Sequence, residues 1–232
     1  MPTLLHIDSS ARPAGADLTT FGSHTRRLGQ RFLARWRELR PGDTVLHRDV
    51  GLTPPAPVSA AWIHAAFTPE ERRTPWMQAV LRESDMLVDE LIGADVIVAG
   101  VPMYNFGVPA QFKAYIDNIV RVGRTFGFDR TRAGEPYWPL LADMGKRLVI
   151  LSSRGDFGYD EGGRIAHMNH VEPAIRTAFG CIGITDVATV AVEYDEFAGE
   201  RLAASIANAE RAVDALVERL AAAVGVSERE AA

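Results

Sequence analysis

At 232 residues, 47% hydrophobic and 24% charged, the chain has the size and apolar content of one globular domain with a sizeable core. Its net charge of −5 argues against a general nucleic-acid binder or a protein of anionic membranes. Cys181 is the only cysteine, which leaves no intrachain disulfide and suits a reducing compartment, and no apolar run nears the roughly 18 residues of a membrane span.

Thr3 to Asp8 reads as a first strand and not as a signal peptide, so a cytoplasmic location is expected. A polar loop follows from Ala11 to Gly22, with turn chemistry at Arg12-Pro13-Ala14-Gly15-Ala16-Asp17. Ser23-His24-Thr25 heads a helix whose apolar positions are Leu28, Phe32, Leu33, Trp36 and Leu39, stopped at Pro41-Gly42. Thr44 to Val50 is a second strand, and the Pro-rich stretch from Gly51 to Ala61 is expected as loop. Thr68-Pro69-Glu70-Glu71 has the makings of a helix start, broken at Pro75, after which a helical face runs to Ile92.

Asp95 to Val101 is a third strand, rich in β-branched residues and without alternation, as expected of a strand buried on both faces of a parallel sheet. Pro109 opens a helix with Phe112, Tyr115, Ile116, Ile119 and Val120 inward and Lys113, Asp117 and Arg121 toward water. A long loop from Gly123 to Met144 is followed by a fourth strand, Arg147 to Leu151, and a Gly-rich acidic loop, Asp156 to Gly163. A helix from about Val171 to Cys181, a fifth strand, Val187 to Val192, and a last amphipathic helix complete the chain. Residues 1–232 read as a single domain, with 224–232 as a polar, flexible tail.

Five strands alternating with helices predict an α/β fold, a three-layer, doubly wound parallel sheet of flavodoxin-like order 2-1-3-4-5. The first, third and fourth strands are then neighbours, and their carboxyl ends carry the three unusual loops. Pro102-Met103-Tyr104-Asn105-Phe106-Gly107 offers flat apolar surface, an amide and a permissive glycine, which suits an aromatic heterocycle. Ser9, Ser10, Ser23, His24 and Thr25 suit an anion at a helix N-terminus, although Ser23 or Thr25 as a plain helix cap explains those residues equally well. The loop matches neither the Gly-x-Gly-x-x-Gly fingerprint nor the Walker lysine pattern.

His167 and His170 are three apart, but a solvated or capping role is the simpler reading than a metal site. Asp156-Phe157-Gly158 lacks the other kinase motifs, and Ser153 lacks a nucleophile elbow. Cys181, among Phe179, Ile182 and Ile184, reads as a buried thiol. Arg26-Arg27 and Glu70-Glu71-Arg72-Arg73 read as solvated helix faces.

Pro102 to Phe106 after the third strand, Ser153-Arg154-Gly155 after the fourth, Ser10 with Ser23-His24-Thr25 after the first, and Gly183-Ile184-Thr185-Asp186 before the fifth together resemble the FMN-dependent NADH-azoreductase family over nearly the whole chain. The resemblance implies a flavodoxin-like homodimer that takes hydride from NADH or NADPH through FMN and reduces quinone or azo acceptors by two electrons, with no dedicated catalytic side chain and no metal. It implies that Ser10, Ser23, His24 and Thr25 hold the FMN phosphate. Pro102, Met103, Tyr104, Asn105, Phe106 and Gly107 would line the isoalloxazine, and Ser153, Arg154, Gly155 and Asp156 its polar edge. The family usually has glycine where this chain has Asp156, whose carboxylate would disfavour a reduced anionic flavin. Phe126 and Phe128 are candidates for the acceptor pocket, with Tyr137 and Trp138, though each also suits a loop-anchoring role. An electron carrier without its own NAD(P)H turnover is the alternative; the aromatic loop after Gly123 favours an enzyme.

Overall fold

The computed structural model describes residues 1–13 and 22–230. The turn expected over Arg12–Asp17 therefore lies mostly outside the described residues. The elements in chain order are β1 (Thr3–Asp8), α1 (His24–Leu39), β2 (Thr44–Asp49), α2 (Ala60–Phe67), α3 (Pro75–Gly93), β3 (Val96–Pro102), α4 (Ala110–Ile119), β4 (Phe126–Phe128), β5 (Tyr137–Pro139), β6 (Arg147–Ser153), α5 (Glu172–Ile182), β7 (Asp186–Val192) and α6 (Gly199–Glu230). Helix α6 thus continues past residue 224, where the composition turns polar.

Five strands form one parallel sheet in the order β2-β1-β3-β6-β7, the flavodoxin-like order expected. Every residue of β3 is buried, which explains its unbroken apolar run: alternate side chains enter different cores. Val96 and Val98 join Leu28, Phe32 and Trp36 of α1 and Val213, Leu216 and Val217 of α6 on one face. Ile97, Ala99 and Val101 join Leu87 and Leu91 of α3, Phe112 and Ile116 of α4, and Ile175 and Phe179 of α5 on the other. Each such aliphatic or aromatic side chain, fully buried, contributes about 1.5–3 kcal/mol.

Several local expectations are corrected. Ser59 caps the unexpected helix α2, its hydroxyl accepting from Trp62 N at 3.1 Å, and Ala65 and Ala66 pack on Met77 and Leu81. Thr68 closes that helix instead of opening another, its hydroxyl donating to the His64 carbonyl at 2.7 Å, and Glu70–Arg72 forms only a 3-10 turn before Pro75 starts α3. The loop after Gly123 contains an antiparallel hairpin, β4 with β5. Cys181 is exposed, because the buried stripe of α5 runs through Ile175, Phe179 and Ile182 and position 181 falls off it.

Arg121 does not face water. It is fully buried, donating to Ser84 Oγ at 2.7 Å and lying 5.4 Å from the centre of the Trp62 ring. Arg27 sits at the α1–α6 seam, paired with Glu210, and Arg31–Asp214 and Arg35–Glu218 continue the same seam one turn at a time. Arg26 is buried at 5% exposure and belongs to the site described below.

Gly183 ends α5 at a φ of 102°, and a β-carbon there would lie 2.4 Å from Ala142 N. Both the left-handed backbone and the close approach exclude a side chain. Gly183→Ala is therefore expected to lower the unfolding free energy by about 2 kcal/mol or more, read by urea denaturation of the two proteins side by side.

Candidate functional site

Because β1, β3 and β6 are parallel neighbours, their carboxyl ends open on one edge of the sheet, at the point where successive crossovers diverge. There the chain forms a cleft of about 290 Å³. Its walls are Ser10, Arg12, Gly22, Ser23 and His24 after β1, Pro102 to Asn105 after β3, Ser153 and Gly155 after β6, and Asp195 and Glu196 after β7.

One end is the N-terminus of α1. Ser23 is the cap: its hydroxyl accepts from Arg26 N at 3.3 Å and lies 3.0 Å from Thr25 Oγ1. The first turn carries no acid, so nothing in it quenches the positive end of the helix dipole. His24 is 4% exposed; its Nε2 lies 3.0 Å from Asp195 Oδ1, and its Nδ1 is buried without a protein partner. The hydrogen bond from His24 holds the Asp195 carboxyl below the usual carboxylate range.

Arg26 braces this end from beneath. Its guanidinium makes a two-pronged pair with Asp49 of β2 at 2.6 and 2.8 Å, touches Asp8 at 3.3 Å, and donates to the Ser10 and Arg12 carbonyls at 2.7 and 2.9 Å. The Asp49 pair raises the Arg26 pKa further, so this cation is permanent. Gly51 makes room for it, since a β-carbon there would lie 2.3 Å from the Ser10 carbonyl oxygen.

The other end is the turn after β3. Tyr104 and Gly107 exchange two backbone hydrogen bonds at 2.9 and 3.1 Å, leaving Asn105 and Phe106 as the two turn residues with φ of 48° and 70°. Two consecutive positive φ values define the primed hairpin turn that Asn-Gly satisfies without strain; a phenylalanine there costs about 1–2 kcal/mol. Phe106 is 43% exposed, so its burial offsets only part of that cost. Tyr104 Oη accepts from Ala11 N at 3.1 Å, and Met103 N donates to the Ser153 carbonyl at 2.8 Å, which ties the three tips together.

Not every expected residue reaches the cleft. Thr25 is buried behind Ser23, and Phe106 and Gly107 stand beyond the walls. Arg154 points away: it is 1% exposed and held by Glu172 at 2.6 Å, Asp160 at 2.8 Å and Glu193 at 3.0 Å. Burial works against its charge, but Glu172 and Asp160 outweigh burial and keep the guanidinium protonated. Gly155 does line the cleft, and Glu196 explains the glycine, with its Oε1 only 2.5 Å from where a β-carbon would sit. The Asp156 carboxylate is turned to Arg164 at 2.7 Å, a pairing that lowers its pKa. Phe126 and Phe128 hold the β4–β5 hairpin against Tyr137, with ring centres 6.0 and 4.8 Å apart, and form no part of this cleft.

Arg12, Asp195 and Glu196 were not singled out from the sequence. The one signal for the latter pair is an acidic run, Glu193 to Glu196, at the tip of a strand in the same sheet.

A family model described as a flavodoxin-like fold matches residues 2–217. The chain is 41% identical over 220 residues to an FMN-dependent NADH:quinone oxidoreductase 2 of Colwellia psychrerythraea, covering 95% of this chain and 100% of that one. It is 46% identical over 195 residues to an FMN-dependent NAD(P)H:quinone oxidoreductase 1 of Pseudomonas aeruginosa, covering 84% and 91%. Among solved structures, an FMN-dependent NADH-azoreductase of Bacillus anthracis in complex with FMN superposes with a TM-score of 0.80 at 20% identity, covering 95% and 100%, a likeness of fold alone. With a family model matched from Pro2 to Val217 and relatives above 40% identity along most of their length, the chain belongs to the flavodoxin-like family that includes the FMN-dependent NADH:quinone oxidoreductases.

Proposed function

We propose that this protein is an FMN-dependent NAD(P)H:quinone oxidoreductase that also reduces azo compounds. The observation that carries the reading is a single cleft with a capped helix N-terminus at one end and a strained aromatic turn at the other. These are the two chemistries that a ribityl phosphate and a planar ring need. The residues fit the group: the Ser10 and Ser23 hydroxyls and the α1 amides suit a phosphate, and the buried Nδ1 of His24 awaits a partner. Bound FMN supplies the hydride chemistry, and the protein supplies position and electrostatics.

In this reading Ser10, Ser23 and His24 fix the phosphate, while Asp195 orients the His24 ring through Nε2. Met103, Tyr104 and Asn105 would hold the ring, and the backbone around Gly155 would offer hydrogen bonds to its polar edge. The Asp156 charge is balanced by Arg164, so its influence on the flavin is muted. No side chain transfers a proton in the hydride step. Donor and acceptor would take turns in the one cleft that these residues form, which would give ping-pong kinetics. NADH is preferred over NADPH, no basic cluster being set out for a 2′-phosphate. We read the working form as a cytoplasmic homodimer; among the described residues no helix is long and apolar enough to cross a membrane.

The decisive test is anaerobic addition of NADH to FMN-saturated protein. Rapid bleaching followed by reoxidation with a quinone, and parallel double-reciprocal lines in steady state, are expected. Failure to bleach would leave only an electron carrier.

Three variants probe the parts. Ser23→Ala removes a hydrogen bond to a charged group, worth about 1.5–3 kcal/mol, so FMN affinity by fluorescence quenching should fall about tenfold to a hundredfold. Arg26→Met leaves Asp8 and Asp49 without their cation and should lower the unfolding free energy by about 3 kcal/mol. Phe106→Gly relieves the left-handed backbone. It should leave unfolding free energy within about 1 kcal/mol of the parent and, because the ring stands at the rim and not in the cleft, weaken FMN binding by only about twofold, the low end of an aromatic contact.

A further inference from the structure

Strands β1 and β2 each carry the same tripeptide pattern, His6-Ile7-Asp8 and His47-Arg48-Asp49, and the flavin-binding reading uses neither histidine. The parallel register pairs His6 with His47 and Asp8 with Asp49. Alternation along each strand then puts all four side chains on one face of the sheet, the face covered by α1.

Arg26 accounts for only part of this group. It saturates Asp49 and touches Asp8 through Oδ2 at 3.3 Å, leaving Asp8 Oδ1 buried with no hydrogen-bond partner. His6 is 2% exposed, and neither of its ring nitrogens has a hydrogen-bond partner among the described residues. A neutral imidazole has one N–H to donate and one lone pair to share, and burying both unmet is costly. The His6 Nε2 stands 3.7 Å from the unmet Asp8 Oδ1, and the His47 Nε2 stands 3.0 Å from Asp8 Oδ2. One ligand atom from each of these three residues falls within 4.8 Å of the others.

We propose that His6, Asp8 and His47 form a binding site for a divalent transition cation of the zinc class. Two imidazoles and a carboxylate are the ligand set that such ions take, with a water in the fourth position. A hard ion such as Mg²⁺, which wants oxygens, is disfavoured. His6 and Asp8 are held by the core; Gly29 of α1 leaves the space, since a β-carbon there would lie 2.4 Å from His6 Nε2. His47, with its side chain 51% exposed on the outermost strand, is the ligand free to turn. Turning is required, because the two rings are stacked within 15° of parallel and a single ion must lie near the plane of both. Arg26 opposes the ion by its charge, and Asp8 and Asp49 together outnumber it. An ion here ties the poorly buried strand β2 to β1, so it stabilises the fold.

The test is calorimetric titration of Zn²⁺ into chelator-treated, FMN-saturated protein, alongside thermal melts with and without Zn²⁺. One saturable equivalent and a raised Tm are expected. Both should be lost or weakened at least about tenfold in His47→Ala, which truncates a half-exposed side chain on the outermost strand, and kept in His170→Ala, which removes an exposed histidine elsewhere. No saturable binding would overturn the proposal and leave the unmet groups to buried water. Binding that survives His47→Ala, or that disappears with His170→Ala, would overturn it equally.

Discussion

A parallel strand cannot pass its chain directly to its neighbour, so each strand of this sheet is followed by a crossover, and every crossover leaves from the same edge. With β1, β3 and β6 side by side, the Ser10, Pro102 and Ser153 tips are neighbours by construction. Hydrogen bonds then set the spacing: Met103 N to the Ser153 carbonyl on one side, and Ala11 N to the Tyr104 hydroxyl on the other. The cleft is a consequence of strand direction before it is a consequence of any side chain. The contribution of β3 is to be apolar on both faces, which places it in the middle and carries its tip there.

An acidic protein that holds a phosphate must draw on local positive potential. The cleft itself holds one cation, Arg12, half-exposed and loosely paired with Asp195 at 3.4 Å. Arg26 and Arg154 lie directly behind the walls, but each is matched by carboxylates, Asp8 and Asp49 in one case and Asp160, Glu172 and Glu193 in the other. Buried pairs of this kind contribute little net stability while holding geometry firmly. Arg26 fixes two carbonyls of the first loop, and Arg154 carries the loop after β6 through its backbone, donating from N to the Val192 carbonyl at 2.8 Å. An anion in this cleft would meet hydroxyls, helix amides and the dipole of α1 beside Arg12, most of them sources of potential that need no net charge.

What was legible in the sequence was what depends on near neighbours. The unbroken run from Val96 to Val101, the proline before α4 and the serine before α1 each act within a few residues, and strand order followed from the alternation of elements. The misread residues are those whose partners are distant in the chain. Arg26 meets Asp49 and Arg121 meets Ser84, and Asp195, which was passed over, meets His24 across 171 residues, so nothing adjacent to them announces these pairings. A charged residue counts as solvated by default, and only the fold supplies the carboxylate or hydroxyl that reverses the default. Helix α2 was missed for a related reason. Pro54, Pro55 and Pro57 just before it suggest loop, and at eight residues it is too short to hold without packing on α3.

The turn at Asn105-Phe106 is where local preference and observed backbone disagree most. Glycine at the second position would carry the same φ without strain, and the protein keeps a phenylalanine at 70° instead. The conformation is over-determined from outside the residue: Tyr104 and Gly107 bracket it with two hydrogen bonds, and the Phe106 carbonyl accepts from His170 N at 2.9 Å. Those contacts all use backbone atoms that glycine would also provide. The backbone conformation therefore does not depend on the ring, which stands partly open beside the cleft. The strain at Phe106 is thus imposed by its neighbours, at the rim of the cleft, where backbone strain commonly collects.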